Sequence, residues 1–133
     1  MTGKTVLVVD DNTVNLKLVA DLLEFEGYEV LKAVDAESAL MVLSARKPHL
    51  ILMDIGLPGM DGLTLTKHLK SVPITQSIPI VALTAFAMKG DEEKAIKAGC
   101  DGYITKPINT RSLCQEIAQI IEKDSDLEGG STS

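Results

Sequence analysis

The sequence predicts an α/β chain built on a five-stranded parallel sheet with helices on both faces. Two observations carry this. Short apolar runs rich in β-branched residues alternate five times with segments of helical period. The first run, TVLVV at Thr5 to Val9, is almost wholly apolar, as suits a strand covered on both faces rather than one. A helix between each pair of strands makes the sheet parallel, because parallel strands need crossover connections and these are right-handed.

Each element is justified by where the period changes. After the first strand, Leu16, Val19, Ala20 and Leu23 recur at helical spacing until Gly27. Tyr28 to Val34 reads as strand two, and Asp35 is placed to cap a helix whose Ala36, Ala39, Leu40 and Leu43 share a face, closed by Pro48. Strand three, His49 to Met53, delivers Asp54 at its C-terminal end. The loop from Ile55 to Gly62 follows, with glycines and a proline that disfavour regular structure. Leu65, Leu69 and Val72 mark helix three, Ile78 to Thr84 strand four, Met88 to Ala98 helix four and Gly102 to Thr105 strand five. Asn109 is placed to cap a fifth helix, whose Leu113, Cys114, Ile117, Ile120 and Ile121 form one apolar stripe. From Asp124 to Ser133 (DSDLEGGSTS) no apolar period remains, so residues 1–123 are expected to form one domain and 124–133 a disordered tail.

Composition narrows the function classes. The 133 residues, 45% hydrophobic, supply one core, and no second effector domain is expected within them. A net charge of -6 has the wrong sign for gripping nucleic acid or an anionic membrane. The longest nearly apolar run, Ile78 to Met88, has 11 residues, short of the roughly 20 that a membrane span needs. Asp10 and Asp11 arrive before a signal-peptide apolar region is complete, and Thr2 stands where myristoylation needs glycine, so a cytoplasmic location is expected. Cys100 and Cys114 lack CxxC spacing and a partner His cluster, which makes them reduced packing residues; His49 and His68 lack the spacing of metal or phosphate-accepting histidines.

Chemistry is expected where strands end, since ligands of open parallel sheets bind beyond the carboxyl ends at the point where strand order reverses. Asp10 and Asp11 follow strand one and Asp54 follows strand three, neighbours in the flavodoxin-like order 2-1-3-4-5. Three carboxylates within a few ångströms repel one another, so the cluster must take up protons or bind a cation. All-oxygen donors of this kind suit a hard ion such as Mg²⁺, with Mn²⁺ able to replace it. Thr84 at the end of strand four and Lys106 after strand five add a hydroxyl and an ammonium, groups that bind phosphoryl oxygens.

Four blocks in order, VLVVDDN, LILMDIGLPGMDG, IVALTA and GYITKPI, resemble the signature of the response-regulator receiver (CheY-like) family over about residues 4 to 123. The acidic pair alone is weak evidence; all four blocks at successive strand ends are strong. TAFAMKGDEE is also similar to single-domain receivers of the DivK type, although similar wording occurs in receivers attached to sensor kinases.

The resemblance implies that Asp54 takes a phosphoryl group from a phosphohistidine, supplied by a sensor histidine kinase or histidine phosphotransferase. It implies Mg²⁺ held by Asp11, Asp54 and the Gly56 carbonyl, with Asp10 acting through water. It further implies a switch in which Thr84 and Lys106 move toward the phosphate, Tyr103 turns inward and the helix 4, strand 5, helix 5 face changes for a downstream protein. A monomer or a phosphorylation-favoured dimer fits that output. The positions that tune phosphate lifetime in the family are here Gly56 and Phe86. Neither side chain can orient a water, which predicts slow self-dephosphorylation. The family also suggests a cis bond before Pro107; the residues alone leave the isomer open.

Plainer roles compete. Asp54 as a strand-end cap, Asp10 and Asp11 as charges at a helix N-terminus, Thr84 as a β-former and Lys106 as a surface charge are all ordinary. Among other functions, a flavin carrier is disfavoured by the turn DDNTVN, which is no glycine-rich phosphate cradle, and by the absence of Trp. A dehalogenase-like phosphotransferase wants Asp-x-Asp after strand one, where this chain has an adjacent pair. A receiver-like module that binds without phosphorylation, and a receiver excised from a hybrid sensor kinase, remain as nearer alternatives.

Overall fold

In the computed structural model, which describes residues 3–55, 62–84, 91–105 and 110–129, strands and helices alternate along the described residues. They are β1 (Thr5–Val9), α1 (Thr13–Phe25), β2 (Glu29–Ala33), α2 (Ala36–Ala45), β3 (Leu50–Asp54), α3 (Gly62–Ser71), β4 (Ile80–Thr84), α4 (Asp91–Ala98), β5 (Gly102–Thr105) and α5 (Thr110–Gly129). The strands pair in parallel in the order β2-β1-β3-β4-β5. This is the five-stranded doubly wound sheet that the sequence predicts.

Alternation along each strand divides the core into two layers. Leu7, Val9, Ile51, Met53, Ile80 and Ala82 face Ala36 and Ala39 of α2, Leu65 and Leu69 of α3, and Ala95 of α4. Val6, Val8, Leu50, Leu52, Val81 and Leu83 face Leu16, Val19 and Leu23 of α1 and Leu113 and Ile117 of α5. Consecutive strand residues therefore serve opposite layers, which is why β1, β3 and β4 read as unbroken apolar runs.

Helix ends follow from local chemistry. The Asn12 side chain caps α1 by accepting the Asn15 N–H at 3.0 Å, and Asp35 caps α2 by accepting the Ser38 N–H at 2.7 Å. Gly99, at φ 109°, takes the left-handed conformation just past α4. There the aliphatic stem of Lys70 packs so close that a Cβ on residue 99 would lie 2.8 Å from Lys70 Cγ. The Lys70 ammonium donates to the Ile78 carbonyl at 2.8 Å and to Asp101 Oδ2 at 3.0 Å, and the same oxygen accepts the Ile80 N–H at 2.9 Å. One side chain thus ties α3, the start of β4 and the turn after α4 together.

Several boundaries differ from the sequence expectation. Strand β4 begins at Ile80, not Ile78, because Pro79 has no N–H to give the ladder, although its carbonyl still accepts from Ile51 at 2.9 Å. Asp54 is the last residue of β3 rather than the first of the loop, and β2 is trimmed to Glu29–Ala33. Helix α5 runs to Gly129, past Asp124, where the apolar period of the sequence ends. A helix already formed extends at one hydrogen bond per residue ordered, and DSDLE holds no residue that stops it before the glycines. The caps and helix starts assigned to Met88 and Asn109 lie outside the described residues.

Candidate functional site

The sheet register brings the carboxyl ends of β1 and β3 side by side: Val9 lies opposite Met53, so Asp10 and Asp54 follow at the same level. The backbone of Asp10 is fixed by its N–H to the Ala33 carbonyl of β2 at 3.0 Å. Beyond Asp54, the Ile55 N–H donates to the Leu83 carbonyl at 3.0 Å, which continues the β3–β4 ladder one step past the acid. Each of Asp10, Asp11 and Asp54 offers a carboxylate oxygen, and these oxygens lie within 4.8 Å of one another. Asp10 is completely buried, Asp54 is 7% exposed and Asp11 is open to solvent.

Two buried like charges and an exposed third, at this separation, cost free energy unless a counter-charge joins them. Hard oxygen donors with one open side fit a small divalent cation such as Mg²⁺, which keeps several waters. The α1 N-terminus also helps, since its first-turn N–H groups carry partial positive charge. Asp10 is held from the same end of the helix: its Oδ1 accepts the N–H of the cap residue Asn12 at 2.9 Å, and its Oδ2 accepts the side-chain amide of Asn15.

The structure brings Thr84 to the same rim. It is the last residue of β4, one past Leu83, the register partner of Asp54, and is 4% exposed. Tyr103 sits half-buried on β5, packed against the α2, α3 and α4 layer. Gly56, Phe86, Lys106 and Pro107 lie outside the described residues.

Two contributors escape a reading of the sequence. Gly62 starts α3 directly against the acid's strand: a Cβ there would strike the Asp54 carbonyl oxygen and lie 2.6 Å from Ile55 Cα. Only glycine permits that approach. Within a glycine-rich loop it reads as one more turn residue, so no local feature separates it. Asn15 escapes as well, although its spacing of three from the cap residue Asn12 is visible in DDNTVN.

The family model for the response regulator receiver domain matches residues 6–118. Among curated proteins, the chain is 46% identical over 114 residues to the polar-differentiation response regulator DivK of Brucella anthropi, covering 86% of this chain and 93% of that one. Among solved structures, a putative response regulator from Chloroflexus aurantiacus superposes with a TM-score of 0.87 at 31% identity, covering 91% of this chain and 99% of that one. The receiver domain of a sensor histidine kinase from Pseudomonas aeruginosa, solved with a magnesium ion coordinated in its active-site cleft, gives 0.83 at 32% identity, with coverage of 91% and 99%. The acid cluster at the strand ends, the strand order and this likeness along most of the chain agree: the chain belongs to the response regulator receiver domain family, whose members act as phosphoacceptor switches in two-component signalling.

Proposed function

We propose that Asp54 is the phosphoacceptor. One carboxylate oxygen attacks the phosphorus of a phosphohistidine; the O–P bond forms as the P–N bond breaks and the imidazole leaves, giving an acyl phosphate. The observation that carries this reading is the gathering of the Asp10, Asp11 and Asp54 carboxylates within 4.8 Å at one rim of the sheet. Asp11, Asp54 and the Gly56 carbonyl would hold Mg²⁺, with Asp10 acting through water and Mn²⁺ able to substitute. When bound, the ion offsets the charge that gathers on the transferred phosphoryl oxygens. Positioning does most of the remaining work, because phosphoryl transfer asks little covalent chemistry of the protein.

After transfer, Thr84 and Lys106 turn their hydroxyl and ammonium toward the phosphate, and Tyr103 follows into the space that Thr84 leaves. The α4, β5, α5 face then presents a new surface to a downstream protein. Helix α4 suits this role, since Ala95 and Ala98, two small residues, are its buried side chains among those described. The donor would be a sensor histidine kinase or histidine phosphotransferase, and the proposed location is the cytoplasm. Among the described residues no helix is long and apolar enough to cross a membrane.

The test is intact-mass measurement after incubation with acetyl phosphate and Mg²⁺. Wild type is expected to gain one phosphoryl group and Asp54→Asn none. Equal adducts on both proteins remove Asp54 from the role.

A further inference from the structure

Helix α1 opens with a rearranged cap. In the reciprocal arrangement common at helix starts, the side chain of the third residue reaches back to the amide of the cap residue. Here the cap residue is Asn12 and the third helical residue is Asn15, but the Asn12 N–H is already committed to Asp10 Oδ1 at 2.9 Å. The Asn15 side chain turns instead to Asp10 Oδ2, while its backbone N–H keeps the helix cap through Asn12 Oδ1 at 3.0 Å. Both oxygens of a completely buried carboxylate are therefore gripped by donors from one helical turn.

We propose that Asn15 is a positioning residue for the cation site: its amide, with the Asn12 N–H, locks the plane of the Asp10 carboxylate and so fixes the direction in which the remaining lone pairs are offered. This rests on the reading of Asp10 as part of the Mg²⁺ site. Each carboxylate oxygen has two lone pairs, so the bonds from Asn12 and Asn15 do not exhaust what the group can offer a water or an ion. Without the Asn15 amide, Oδ2 of a buried acid loses one donor, and the plane of the carboxylate is held less firmly than with both donors in place. Residues that orient a metal's direct ligands typically change affinity by 10- to 100-fold; Asp10 reaches the ion through water, so the lower end of that range is expected here. The amide of asparagine matters, since aspartate, of equal length, would set a second negative charge against Asp10 and provide no donor.

The experiment separates positioning from helix capping, because Asn15→Ala removes the side-chain bond to Asp10 and leaves the backbone bond to Asn12. Mg²⁺ affinity of the full chain is measured by amide chemical shifts and calorimetry for wild type, Asn15→Ala, Asn15→Leu and Asn15→Gln. Asn15→Ala and Asn15→Leu are expected to bind roughly 10-fold more weakly, with Asn15→Gln, which keeps a donor on a longer arm, recovering part of the loss. Phosphorylation by acetyl phosphate should slow at limiting Mg²⁺ and return to the wild-type rate at saturating Mg²⁺, while α1 helicity in chelator stays unchanged. Wild-type affinity in Asn15→Ala, or a loss matched by unfolding of α1 in the metal-free protein, overturns the positioning role. A wild-type chain that neither binds Mg²⁺ nor takes a phosphoryl group overturns the phosphoacceptor reading itself.

Discussion

A glycine that abuts the backbone of an acid can matter as much as the acid. At Gly62 any side chain would have to displace the Asp54 carbonyl or Ile55, so Gly62→Ala is expected to lower stability by about 1–3 kcal/mol, as overpacked sites do. It should also slow acetyl-phosphate labelling of Asp54; chemical denaturation and intact mass read the two effects, and an unperturbed variant would show that the strand end yields freely. A second prediction concerns the phosphate itself. Gly56 and Phe86 carry no group that orients an attacking water, so the acyl phosphate should persist well beyond seconds, and Gly56→Asn should shorten its life. Decay followed after removal of acetyl phosphate checks this, and equal decay in the two proteins counts against it. At this scale the acids and Thr84 are legible in the sequence because they end recognisable strands. Gly62 and Asn15 are not, because their importance lies in what approaches them in space.

Of the two N-caps described, Asn12 on α1 and Asp35 on α2, the second is open to titration. The Ser38 N–H, aimed at the Asp35 carboxylate across the first turn of α2, holds its pKa below the ordinary value of 3.8. A depressed acid contributes stability that is complete once the pH is clear of that ordinary value. The contribution is lost as the pH falls through the lower folded value. Glu29, lowered by its hydrogen bond from Arg46, works in the same direction at the sheet edge. Melting temperatures recorded from about pH 6 to about pH 2 should therefore fall toward acid. Asp35→Asn, which keeps an acceptor at the cap, should flatten part of that slope; an identical slope in the variant would remove the cap from the account. Element existence follows from the change between two-residue and helical periods, and β1, β3 and β4 are read almost to the residue. The far end of α5 is not, because beyond Glu122 helix continuation depends on propagation from the packed turns, a cooperative effect that no apolar period records.

For the molecule as a whole, two apolar layers share one sheet, and each central-strand residue belongs to only one of them. Ile51, wholly buried among β1, β4, α2 and α3 residues, should cost about 2–5 kcal/mol on truncation to Ala. The register that sets Asp54 beside Asp10 depends on β3, so the same variant should lose labelling only as it unfolds, at denaturant concentrations that follow its reduced stability. Labelling lost while the fold persists would mean that the layer reaches the site by another route. The Lys70 clasp has a mechanical meaning at this scale. By tying the Gly99–Asp101 turn that follows α4 to α3 and β4, it anchors one end of that helix, about which a tilt could pivot. Eight residues at about 1.5 Å of rise each make a lever roughly 12 Å long. A rotation of about 10° would carry its far tip roughly 2 Å, enough to change what a docking surface feels while the fulcrum stays still.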